Sequence, residues 1–171
     1  IFILLYFNSL NMKIVSLLLV VFGFSLNILA QDKMPQANEE IVKYVTSVIG
    51  KKVDRGECWD IANQALTRVN GKWDHKFVYG KLLDPKRDVV FPGDIIQFKN
   101  VVLEYTLPSG KGKATETMKQ HTAIVYRVIS ADEYELAHQN TGFSGRKVGL
   151  STINLKTVKK GKLFIYRPVV E

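Results

Sequence analysis

The sequence predicts an α+β domain, with helices first and an antiparallel sheet after them. Three observations predict it. Ile41, Tyr44, Val45, Val48 and Ile49 recur at helical spacing, and Ile61, Ala62, Ala65, Leu66 and Val69 do so again further on. From residue 94 onward the signal changes to short β-type runs separated by Pro, Gly, Asn and Asp. The composition, 46% apolar and 11% aromatic with 23% charged, is that of a packed globular chain, and 171 residues suit one domain.

Residues 1–30 stand apart from this domain. Their one charge is Lys13, and the 16-residue run Ile14–Leu29 is continuously poor in polar groups. Met12-Lys13, the apolar run, and Ile28-Leu29-Ala30 have the order of a secretory signal peptide. Met12 is then the expected start and Ala30 the expected last residue before cleavage. The run is shorter than the ~20 residues a spanning helix needs, so no stable membrane span is expected after cleavage. The retained-anchor alternative stays open on sequence alone. The predicted domain is 31–171, with a net charge of +7 once Lys13 is removed from the chain's +8.

In order, Gln31–Gln36 is a polar leader. Asn38-Glu39-Glu40 offers an N-cap and first-turn acids for the first helix, and Gly50 stops it. Lys51–Glu57 reads as a loop. A second helix is expected from about Cys58 to Val69, ended by Asn70-Gly71. Trp73–Arg87 is irregular. Strands are expected at Asp94–Phe98, Val101–Thr106, Thr122–Ile129, Tyr134–Asn140 and Leu163–Arg167, with turns at Pro92-Gly93, Pro108-Ser109-Gly110, Ala131-Asp132, Gly142–Gly145 and Lys159–Gly161. The Lys- and Thr-rich stretch Gly110–Gln120 reads as a loop. The sheet should hold five to six strands, with the second helix packed on it.

Few residues can carry chemistry. One cysteine excludes an intrachain disulfide and a cysteine-based zinc cluster, and no cofactor or metal is implied. Cys58 stands at a predicted helix start, where backbone N–H groups and the helix dipole favour a thiolate. A free cysteine is also often just a small buried hydrophobe. Of the three histidines, His75 lies beside Asp74 in a loop and reads as surface. His121 opens a predicted strand, and His138 lies 17 residues on, near the end of the next. A hairpin turning near Ser130–Asp132 would oppose the two, with Cβ atoms about 5 Å apart. One imidazole would then orient the other. Trp59, Trp73 and Tyr126 fit core or cleft edge, and Asp94 fits the turn into its strand.

These residues fall in blocks. Gly56-Glu57-Cys58-Trp59-Asp60-Ile61-Ala62 resembles the nucleophile helix of CHAP (cysteine, histidine-dependent amidohydrolase/peptidase) domains. Phe91-Pro92-Gly93-Asp94-Ile95-Ile96-Gln97-Phe98 resembles their strand entry, and His121-Thr122-Ala123-Ile124-Val125 their histidine strand. Ala137-His138-Gln139-Asn140 matches the position of their acidic-Gln-Asn segment, with His138 where a Glu is usual. The related NlpC-type cell-wall peptidases use a His at that place. The resemblance implies a papain-like core and thiol hydrolysis, with Cys58 as nucleophile and His121 as its base. His138 or Asn140 would orient His121, and the Cys58 backbone N–H would serve as an oxyanion donor.

The resemblance, the leader and the dispersed lysines together imply an exported, monomeric peptidoglycan hydrolase, periplasmic or extracellular. It would be a stem-peptide endopeptidase or an N-acetylmuramoyl-L-alanine amidase. Another anionic cell-envelope polymer suits the same charge. Nucleic acid does not, since no basic-aromatic recognition motif occurs. A thiol hydrolase of another amide and a non-catalytic wall-binding module on the same fold are the alternatives.

Overall fold

The computed structural model describes residues 32–106 and 111–170. The predicted leader, its start and its cleavage site lie outside the described residues, as does the Pro108-Ser109-Gly110 turn. The elements all belong to the unit Met34–Glu171. They are helix α1 (Gln36–Val48), helix α2 (Asp60–Arg68), strands β1 (Lys81–Leu83), β2 (Ile95–Thr106), β3 (Lys113–Ser130), β4 (Glu133–His138) and β5 (Gly149–Asn154), a 3-10 turn (Leu155–Thr157) and β6 (Val158–Arg167). The strands form a single antiparallel sheet in the order β1-β6-β2-β3-β4-β5. Two helices ahead of a six-stranded antiparallel sheet is the α+β layout that the periodicity predicts.

The sheet is buried on both faces. Alternation along each strand sends Ile95, Ile124, Ala137 and Tyr166 to the helix side, where they meet Ile41, Val45, Ile61, Ala62, Ala65 and Leu66. The alternate residues Ile96, Phe98, Ala123, Val125, Leu136 and Ile165 make a second cluster with Leu83 and Val90.

Several local expectations are corrected. Helix α1 starts at Gln36, with Pro35 in the cap position and no side-chain cap. Asn38 is therefore inside the helix and wholly buried, and its Nδ2 donates to Pro92 O (2.9 Å) and Asp94 Oδ1 (2.8 Å). Asp94 does more than serve its turn: besides accepting from Phe91 N–H, it takes both Nε and a terminal nitrogen of Arg167, at 3.1 and 2.8 Å. This buried pair locks α1, the β2 entry and β6 together. Gly93 packs so closely on α1 that a Cβ there would meet Asn38 O at 2.6 Å.

The largest difference is Gly110–Gln120, expected as a loop. From Lys113 onward it is strand, paired in register with Val101–Thr106 as far as Lys113–Thr106. Val101 and Leu103 of β2 are buried in the second cluster and Met118 packs on it, but the rest of Lys113–Gln120 is mostly exposed, so no apolar alternation marks it in the sequence. Lys113 Nζ meets Glu104 Oε1 across the two strands at 2.9 Å. Likewise Asp94–Phe98 and Val101–Thr106 are one strand, with Asn100 at φ +52° taking up the irregularity between them. Strands β1 and β5 are short and weakly patterned, and both lie at the sheet edges.

Candidate active site

Cys58 lies in the turn just before α2, two residues short of the first helical residue Asp60. That turn is clamped from both sides. The Asp60 carboxylate, wholly buried, accepts Glu57 N–H at 2.9 Å and the Arg55 guanidinium at 3.1 Å. From the sheet side, the buried Gln139 amide accepts Val53 N–H (3.1 Å) and donates to Val53 O (3.0 Å) and Glu57 O (2.8 Å). Gly56 holds φ +86°, and a Cβ there would meet Arg146 Cβ at 2.7 Å. The result is a buried thiol beside the backbone N–H groups of Thr122, Trp59 and Cys58 itself, each of which favours its charged form. Thr122, not His121, is the β3 residue on the helix side with Cys58: His121 pairs with Phe98 and points with it to the opposite face of the sheet, so the structure does not bring the His121 ring to the thiol.

The electrostatics differ from the expected stabilised thiolate. Burial pushes the Cys58 thiol above its ordinary range, and the neighbouring Glu57 charge adds to this, against the backbone donors. Desolvation outweighs the helix start because α2 begins two residues later. His121 is pushed down to about 4, also by burial. His138 is pushed down to about 3 by burial and by the adjacent His121. All three shifts favour the neutral thiol and the neutral imidazoles over an ion pair.

The structure brings the two histidines together by a route the sequence does not show. The hairpin turns at Ala131-Asp132 as expected, with Ser130 opposite Glu133. Without irregularities that register would carry His121 opposite position 142. Bulges in β3 between Val125 and Arg127 and between Val128 and Ser130 shift the pairing to Ile124–Ala137. Continued outward, this register sets 121 opposite 140, so His121 and His138 are diagonal rather than direct neighbours. Two bulges restore the original face, because the side-chain period is two. His121 Nε2 and His138 Nδ1 are 2.8 Å apart.

The chain of bonds continues. His138 Nε2 is 2.7 Å from Ser151 Oγ on β5, the residue opposite Leu136. One proton arrangement serves a base: His121 Nε2–H donates to His138 Nδ1, and His138 Nε2–H donates to Ser151 Oγ. His121 Nδ1 is then the free basic nitrogen. Phe98 and Phe143 flank the two rings at centroid distances of 5.9 and 5.4 Å.

Asn140, weighed beside His138 for orienting His121, does not bond to it. At φ +62° and exposed, it donates from Nδ2 to Glu57 Oε2 at 3.0 Å. Arg146 meets the other Glu57 oxygen at 3.4 Å. Trp59 is half-buried under the Arg55 guanidinium, 4.7 Å from its ring centre. Trp73 packs against the helix-side core and Tyr126 against its margin. His75 is exposed, with its ring 4.4 Å from Trp73.

Three further residues sit under the site. Thr122 Oγ1 donates to Gln97 Oε1 at 2.7 Å, and Tyr79 OH is 2.9 Å from Thr122 Oγ1. Since the threonine proton is committed to Gln97, Tyr79 is the donor of the other bond. Gln97 and Gln139 stand inside quoted blocks without a role assigned to them, and nothing in the sequence singles out Tyr79 or Ser151. Two clefts reach the histidines. One of about 420 Å³ is bounded by His121, Asn140 and the β3 segment Glu116–Gln120, and one of about 380 Å³ by His138, Phe143 and Ser151. Among the described residues no group of three His, Cys, Asp or Glu is placed to hold a metal ion.

The family model described as AIM3/BBC1 cysteine proteinase-fold domain matches residues 30–171. The chain belongs to this family. The AIM3/BBC1 domain thus has a cysteine proteinase fold, the broader class to which the CHAP-type resemblance pointed. Among solved structures, "The crystal structure of Ly7917" is similar at a TM-score of 0.50 and 15% identity, over 75% of this chain and 62% of that one. A second, "The crystal structure of Ly7917 with the hydrolyzing product of MDP", has a TM-score of 0.49 and 15% identity, over 77% of this chain and 63% of that one. The AIM3/BBC1 domain here therefore spans less than two thirds of those chains. No curated protein sequence matches it.

Proposed function

We propose that this domain is an exported thiol hydrolase that cleaves amide bonds in peptidoglycan stem peptides or at their junction with the sugar. The observation that carries the hydrolase reading is the Cys58 thiol in the turn before α2 of a cysteine proteinase-fold domain, beside the Thr122 N–H, while the bonded pair His121–His138 lies on the other face of the sheet. In this reading Cys58 Sγ attacks the amide carbonyl carbon while its proton passes to His121 Nδ1, which requires the His121 ring to reach the helix side from the face it shares with Phe98. The Cys58 backbone N–H faces the developing oxyanion. His121 then gives the proton to the leaving amine, and water hydrolyses the thioester to restore the thiol. His138 holds the His121 ring and accepts from its Nε2–H. Asn140 braces Glu57 beside the nucleophile.

The peptidoglycan assignment rests on the resemblance of four ordered sequence blocks, on the apolar leader and on the basic surface. Incubating purified peptidoglycan with the wild type and with Cys58→Ala tests it through the muropeptides released. A specific observation favours a second reading. His121 faces away from the thiol, and the groups beside Cys58 are backbone N–H groups rather than an imidazolium, which suits a non-catalytic module on the same fold. Wall binding without any Cys58-dependent product would select that reading.

A further inference from the structure

Lys99 on β2 and Lys162 on β6 are direct register partners. Like charges placed opposite each other in antiparallel strands cost stability. Here nothing offsets them: the register partner on the other side of Lys99 is Gln120, and neither lysine has an ion-pair partner among the described residues. Both are exposed. They line a cleft of about 400 Å³ with Asn100, Gly161 and Phe164. The cleft floor is fixed by backbone rather than by mobile side chains. Gly161, at φ +91°, lies so close to Asn100 O that no Cβ fits there.

The position of this cleft relates it to the nucleophile. The pairs Lys99–Lys162, Phe98–Leu163 and Gln97–Phe164 follow without a bulge, so Lys99 and Lys162 share the face of Gln97 and Phe164. Gln97 is bonded to Thr122, whose N–H meets the thiol. Two residues along a strand is about 7 Å. A packed row of rings also joins the two places. Trp59, next to Cys58, lies 5.9 Å from Trp73, then Tyr79 at 5.2 Å, Tyr166 at 6.1 Å and Phe164 at 6.5 Å.

We propose that Lys99 and Lys162 form an anion subsite that takes a carboxylate of the substrate about one residue away from the bond at Cys58, with Phe164 under the adjoining apolar part. This rests on the hydrolase reading for its link to Cys58, and it names the substrate as an amide carrying a free carboxylate.

Two reagents that alkylate thiols test it, N-bromoacetylglycine with its carboxylate and the neutral N-bromoacetylglycinamide. Rates at Cys58 are read by mass spectrometry for the wild type and for the double variant Lys99→Gln, Lys162→Gln. The wild type should prefer the anionic reagent, relative to the double variant, by about threefold or more at low salt, the effect of two unit charges at about 10 Å. The preference should shrink in 0.5 M salt, where screening is roughly twice as short-ranged as at physiological strength (~8 Å). Iodoacetamide should label both proteins equally, which shows that the variant is folded. Equal anionic-to-neutral ratios in both proteins overturn the subsite.

If no reagent labels Cys58, the hydrolase reading fails and the subsite is decided by titration instead. N-acetylglycine should move the Lys99 and Lys162 amide signals in the wild-type spectrum, while N-acetylglycinamide should not. Equal shifts with both probes overturn it.

Discussion

His121 Nε2 lies 2.8 Å from His138 Nδ1, and this bond spans a diagonal of the β3–β4 hairpin created by two bulges. It makes the state of one imidazole depend on that of the other. Ser151 Oγ, 2.7 Å from His138 Nε2, completes the row, and it favours the order that serves a base only where it accepts from His138.

Replacing Ser151 tests that order. In the wild type, nitrogen chemical shifts should show His138 protonated at Nε2 and His121 protonated at Nε2. Ser151→Ala should mix the His138 tautomers and slow any Cys58-dependent reaction, while Ser151→Thr should restore both. The stability cost should be about 1 kcal/mol, that of one buried hydrogen bond. Unchanged nitrogen shifts in Ser151→Ala would remove Ser151 from the account.

Acid should destabilise the fold through the same pair. Both rings have folded-state values below the ordinary 6.5, about 4 for His121 and about 3 for His138. The unfolded chain therefore binds more protons between these values and 6.5, and stability falls as pH drops through that window. From pH 7 to pH 5 the loss should be about 2 kcal/mol for each ring that stays neutral. Urea midpoints measured across that range check it, and His138→Gln should flatten the dependence.

A neutral thiol at rest has its own signature. Because burial raises Cys58, iodoacetamide labelling should climb through the alkaline range with its inflection above that of a free cysteine, about 8.5. A plateau already reached at pH 6 would mean that a thiolate–imidazolium pair exists and that the burial argument is wrong.

Gln139 should matter more for the fold than its exposed neighbour. Its amide makes three bonds to the backbone of Val53 and Glu57, under the nucleophile turn. Gln139→Leu leaves those buried groups unpaired and should cost about 3 kcal/mol. Asn140→Ala, at an exposed position with one bond to Glu57, should cost under about 1 kcal/mol. Thermal melts of the two variants provide the comparison.

Much of this architecture was legible in the residues. The helical spacing in α1 and α2 and the apolar runs of the sheet interior declare themselves because one face of each is buried. The segment Lys113–Gln120 does not, since apart from Ala114 and Met118 its side chains are exposed and its pairing rests on backbone bonds that any residue can make. The meeting of His121 and His138 was expected, but through direct opposition; bulges leave no composition signal, so the diagonal could not be read. Asn38 looked like a cap because its type suits one, whereas long-range bonds to Pro92 and Asp94 decide its place. Ser151 and Gln97 act from strands far along the chain, and only the sheet order puts them beside the site.

The central claim is that Cys58, served by His121, breaks amide bonds of peptidoglycan. Mass analysis of soluble muropeptides after digestion by the wild type and by Cys58→Ala tests it most directly. The account predicts wild-type fragments that carry new amine and carboxylate ends, absent from the Cys58→Ala digest. Identical profiles from the two proteins, with both correctly folded, would contradict it.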